Sequence, residues 1–88
     1  MEGTNMPYVE IKCFAGRSND QKEKCAEEIA DVIARTLGCK TTSVSVAIKD
    51  IPEEEWKTEV WDKDIAPNFE SLYKKPGYSY QTTSTELV

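Results

Sequence analysis

Few residues in this chain could do chemistry, and Pro7 has the most particular requirement. It stands between Met6 and the strand-like run Tyr8-Val9-Glu10-Ile11-Lys12-Cys13-Phe14. Translation from Met6, followed by removal of that methionine before a small residue, would leave a secondary amine at the head of a strand. Such an amine is a general base near neutral pH only if its pKa is brought toward the working pH. Desolvation and a nearby cation both do this by disfavouring the ammonium form, and each unit of lowering costs about 1.4 kcal/mol of differential interaction. Arg17, ten residues on in Gly16-Arg17-Ser18, is a candidate for the cation, and Trp56 for the desolvating surface. A solvated loop charge and ordinary core packing are the plain alternatives for these two. Where residues 1–6 are retained, the Pro7 nitrogen is an amide whose lone pair is delocalised, and it cannot act as a base.

The elements that must position these residues follow from periodicity. Alternation over Tyr8–Phe14 puts Val9, Ile11 and Cys13 on one face of a strand, with Tyr8, Glu10, Lys12 and Phe14 on the other. Ser18 with Gln21 forms a capping box, so a helix starts at about Asn19. Its apolar stripe is Cys25, Ala26, Ile29, Val32, Ile33, Thr36 and Leu37, and Gly38 ends it as a left-handed cap. Thr41–Lys49 alternates again, with Val44, Val46 and Ile48 opposite Ser43, Ser45 and Ala47. Two strands joined by a helix of this length should lie parallel with a right-handed crossover. Asp50–Trp56 then suits a short helical turn, and Val60, Trp61, Ile65, Phe69, Leu72 and Tyr73 hold helical spacing in a second helix. Pro67 should kink or split that helix near Ala66. Tyr78-Ser79-Tyr80 leaves room for a short edge strand. Residues 1–6 read as a flexible leader or alternative start, residues 7–80 as one domain and residues 81–88 as a disordered tail.

Bulk properties exclude several classes of function. A chain of 88 residues allows one domain with a thin core, which is often completed by self-association. Net charge is −5 without histidine, and no basic run exceeds Lys74-Lys75, so nothing resembles a surface that tracks phosphates and no nucleic-acid partner is expected. Cys13, Cys25 and Cys39 lack metal-ligand spacing and read as small buried hydrophobes in a reduced, cytoplasmic protein. No apolar run is long enough to span a membrane.

With Pro7, Arg17 and the turns Lys12-Cys13-Phe14, Ile65-Ala66-Pro67 and Lys74-Lys75-Pro76-Gly77-Tyr78-Ser79 in view, the chain from Pro7 through Tyr80 resembles the 4-oxalocrotonate tautomerase superfamily, and within it a small dimeric bacterial branch. The resemblance implies an α/β (α+β) fold: a βαβ unit of two parallel strands with a crossover helix, then a turn helix and a kinked second helix, the sheet completed by dimerisation. It implies proton transfer between the enol oxygen and carbon of a small 2-keto acid, with no cofactor or metal. Pro7 would be the base, Arg17 the grip on a substrate carboxylate through its bidentate fork, and Trp56 an aromatic wall of the site. Many members carry a second arginine after Ser43-Val44, where this chain has Ser45. That loss of a counter-charge favours an aryl or other mono-acid over a diacid, with Ser45 a hydrogen-bond donor or an ordinary strand serine. The expected partners are a small enol or keto acid and a second copy in a homodimer, with a hexamer as the alternative. Two other functions compete: a non-catalytic relative whose proline is sealed by the leader, and a plain assembly module.

Overall fold

The computed structural model describes residues 6–80. Of the leader expected over residues 1–6 only Met6 is among them, and the tail expected over residues 81–88 falls outside them. The described residues divide after Ile51 into two compact units.

The first unit is a βαβ motif. Strand β1 (Tyr8–Phe14) pairs in parallel with β2 (Ser45–Ile51), from Tyr8 opposite Ser45 to Phe14 opposite Ile51. Helix α1 (Asn19–Leu37) connects them. Its start is fixed by reciprocal bonds: Gln21 N–H donates to Ser18 Oγ at 3.1 Å, and Ser18 N–H donates to Gln21 Oε1 at 2.9 Å. Gly38, at φ 77°, closes its other end by donating to Ala34 O at 3.0 Å, a conformation glycine adopts without a Cβ penalty. Lys22 on α1 reaches Asp50 on β2 at 2.9 Å and ties the helix to that face of the sheet.

Two expectations for this unit need correction. Thr41–Ser43 is a 3-10 turn, so β2 begins at Ser45 and runs on to Ile51; the Thr41 carbonyl closes the turn by accepting Val44 N–H at 3.1 Å. The stripe on α1 is also wider than the two strands it covers. Ala26, Ile29 and Ile33 are half-buried, as are Ala30 and Ala34, whereas Cys25, Val32, Thr36 and Leu37 are exposed. Cys25 is therefore not a buried hydrophobe, although Cys13 and Cys39 are half-buried.

In the second unit, a 3-10 turn (Glu53–Glu55) leads to a π-helix (Lys57–Ile65) and then a 3-10 helix (Ala66–Ser71). The change of helix type at Ala66 is the break that Pro67 predicts. The wide turn is visible in the bonding, since Ala66 N–H donates to Trp61 O, five residues back. Lys57 Nζ meets both carboxylate oxygens of Asp62, also five residues away, at 3.1 Å. The apolar side chains share that period: Trp56, then Val60 and Trp61, then Ile65. Val60 and Trp61 are the buried hydrophobic residues among those described, 5% and 7% exposed. The helix ends before Leu72 and Tyr73, and Tyr73 is fully exposed. Tyr78–Tyr80 forms no strand; its two tyrosine rings pack on Trp61 instead. No helix among the described residues is long and apolar enough to cross a membrane.

Candidate active site

Pro7 is half-buried at the head of β1. Its carbonyl accepts the N–H of Ser45 at 3.0 Å, and the next residue, Tyr8, stands opposite Ser45 in the sheet register. The fold thus brings Pro7 and Ser45 together at one end of the two-stranded sheet. Tyr8 and Ser45 share the sheet face opposite the one α1 covers, and both are exposed.

Arg17 lies past the other end of β1, where its Nη1 donates to Phe14 O at 3.1 Å. At about 3.3 Å of rise per residue, the seven steps from Pro7 to Phe14 span roughly 23 Å. One chain therefore does not bring Arg17 to Pro7. The arginine instead borders an apolar hollow of about 210 Å³ between α1 and the sheet, lined also by Ile11, Cys13, Cys25 and Ile48.

Trp56 belongs to the second unit, half-buried at the start of the π-helix. Its Nε1 donates to the Tyr78 hydroxyl at 3.2 Å. Tyr78 escaped the sequence reading because a tyrosine in a Gly-Tyr-Ser-Tyr run carries no periodic signal. The cross-strand pair Glu10–Lys49, 2.7 Å apart, escaped it too, since its partners become neighbours only once the strand register is known. Lys49 faces Lys12 in that register, and Glu10 offsets the two like charges. The hydrogen bond that Lys49 donates to the Glu10 carboxylate, reinforced by its charge, holds the Lys49 ammonium above the ordinary lysine value. Glu28 raises Lys24, and Glu59 raises Lys63, in the same way.

A strand headed by proline, a capped crossover helix, a second strand paired in parallel with the first and an arginine in the turn between strand and helix define the βαβ unit of a tautomerase. The chain belongs to that family: residues 7–60 match the family model described as tautomerase enzyme, and the match opens at Pro7. Among named relatives, the chain is 51% identical over 75 residues to Tautomerase PptA of Enterobacter sp. (strain 638), covering 84% of this chain and 99% of that protein. It is 45% identical over 74 residues to Tautomerase PptA of Cronobacter sakazakii, covering 83% and 97%. Its fold is similar to the crystal structure of SAR1376 from methicillin-resistant Staphylococcus aureus, a protein described as a candidate 4-oxalocrotonate tautomerase. That likeness has a TM-score of 0.52 at 30% identity and covers 53% of this chain and 76% of the other.

Proposed function

We propose that this chain is a cofactor-free tautomerase that interconverts the enol and keto forms of a small aryl or other mono-acid, with Pro7 as general base once residues 1–6 are removed. The observation that carries the reading is the family match that opens at Pro7, the residue the fold sets at the head of β1. Pro7 takes the proton from the enol oxygen, the carbon bearing that oxygen becomes the keto carbonyl, and the electron pair of the former C=C bond accepts the proton from Pro7 at C3, the carbon next to the carbonyl. Arg17 grips the carboxylate through its fork of N–H donors. Ser45 offers a hydroxyl beside Pro7 where a second arginine would serve a diacid, and Trp56 is the aromatic wall that favours an aryl group.

The separation of about 23 Å along β1 is far longer than a small enol acid. Pro7 and Arg17 act on one substrate only if they come from different copies, which supports a homodimer in preference to a monomer. The open sheet face fits this, with Tyr8 63% and Phe14 38% exposed; a symmetric pair covers such a face with its own copy. The three free thiols suit the reducing cytoplasm.

The test compares the chain that retains residues 1–6 with the chain that begins at Pro7, using phenylenolpyruvate as the aryl mono-acid. General-base catalysis contributes about a hundred- to ten-thousand-fold, and the form beginning at Pro7 should be faster by roughly that factor. Equal rates would remove Pro7 from the mechanism. The amide at Pro7 in the retained form favours a second reading in that event, a tautomerase-like binding or assembly protein.

A further inference from the structure

We infer that Tyr78 is a positioning residue for Trp56 and, through it, a determinant of the preference for aryl over alkyl enol acids. The inference rests on the reading of Trp56 as the apolar wall of the site. The helix that Trp56 opens has a wide turn. In an α-helix of 3.6 residues per turn, positions five apart lie about 140° apart around the axis. Bonding between residues five apart widens the turn and returns such positions to one side. Trp56 and Trp61 are five apart, and Ala66 N–H to Trp61 O shows that register at the helix end. One side chain can then reach both indoles, and Tyr78 does so.

The two ends of Tyr78 have different tasks. Its ring lies 5.7 Å from the Trp61 ring and meets Tyr80 edge-on at 6.4 Å, while Phe69 and Tyr80 flank Trp61 at 6.4 and 5.3 Å. That cluster anchors the tyrosine through the buried Trp61. Its hydroxyl accepts the indole N–H of Trp56 at 3.2 Å. A tryptophan held by both its backbone and its indole nitrogen presents one ring plane, so an arriving aryl group meets a preorganised face and less rotamer freedom is lost on binding. An alkyl group has no ring plane to match and gains less from that order.

The test uses the chain beginning at Pro7 and three variants: Tyr78→Phe, which keeps the ring and loses the acceptor, Trp56→Phe, and the double variant. Each is assayed with phenylenolpyruvate and with an enol acid bearing an alkyl chain of similar length. Loss of one neutral hydrogen bond corresponds to about a three- to tenfold effect. Tyr78→Phe should lower kcat/KM for the aryl substrate by about that factor, through KM with kcat unchanged, and leave the alkyl substrate alone. In the Trp56→Phe background the same change should do nothing further, because the group it orients is gone. Exchange of the Trp56 indole proton, followed by NMR, should quicken in Tyr78→Phe while the Trp61 indole proton keeps its protection.

Aryl kinetics unchanged in Tyr78→Phe but altered in Trp56→Phe would overturn the inference and leave the proposed function standing. Equal losses on both substrates, or in both backgrounds, would reduce Tyr78 to packing and also overturn it. No effect of Trp56→Phe on either substrate would remove the wall together with its positioning residue. The Pro7 reading would still be judged separately, by the two starting forms.

Discussion

Two impaired forms of this chain should regain activity when mixed, because β1 sets Pro7 and Arg17 at its opposite ends. One form retains residues 1–6, so its Pro7 nitrogen is an amide while Arg17 is intact. The other begins at Pro7 and carries Arg17→Ala. The first loses about a hundred- to ten-thousand-fold from the missing base. Loss of a charge-assisted carboxylate grip costs the second about 2 kcal/mol, or roughly thirtyfold at 1.4 kcal/mol per tenfold. Their average is then about 2% of the intact rate at low substrate. If the two are unfolded together and refolded in equal amounts, half the chains have a free Pro7, and half of those face a copy with an intact Arg17. About a quarter of the sites are then complete, whichever closed symmetric assembly forms. Ketonisation of phenylenolpyruvate, followed by loss of enol absorbance, separates about 25% from about 2% with ease. A mixture no faster than the mean of its parents would show that no site draws on two chains, and the homodimer argument would fail.

Three further outcomes are expected. Sedimentation at micromolar concentration should show a dimer, and a monomer there would leave the exposed Tyr8 and Phe14 face without the copy proposed to cover it. Ser18→Ala removes the side chain that caps α1 at Gln21 N–H and should cost about 1 kcal/mol, a fall in Tm of roughly 4–8 °C for a chain this small; an unchanged Tm would mean that the cap adds nothing. Lys49 has its folded value raised by Glu10, so its contribution to stability is fully present below the ordinary value of 10.5 and is lost as pH rises through the folded value. Urea midpoints of the native chain should therefore fall more steeply above that pH than those of Lys49→Gln, and parallel curves would refute the linkage.

The βαβ half was legible in the sequence because each signal in it is local and of a common kind. Period-two alternation gave both strands, the Ser18–Gln21 box and Gly38 gave both ends of the helix, and crossover length gave the parallel pairing. The second half was less legible because its period is neither two nor 3.6. Trp56, Val60, Trp61 and Ile65 fit α spacing loosely, and the π register appears only through the five-residue Lys57–Asp62 pair and the bond at Ala66. Tyr78, expected in a short edge strand, was misread for a related reason: its bond depends on a chain segment with no regular structure returning to an indole 22 residues earlier. The site divides in the same way. Pro7 and Arg17 could be named as candidates through the family resemblance their sequence context carries, but their separation is a property of the strand between them.

That separation also shapes what Ser45 does in the proposed site. Ser45 is bonded through its backbone to Pro7, so the side chain at position 45 is held at the base's end of the sheet in every copy. An arginine at that point would set a full charge beside a Pro7 amine, disfavouring its ammonium form and offsetting a second carboxylate. Serine supplies a dipole in its place, and an ionised carboxylate taken out of water beside an uncharged hydroxyl keeps most of its desolvation cost. Glu10 and Lys49, two to four residues along the same face, bond to each other at 2.7 Å, so that lysine's charge is already answered. Under the proposed function, a substrate with one carboxylate and an uncharged remainder is the ligand whose charge Arg17 and Ser45 would satisfy together.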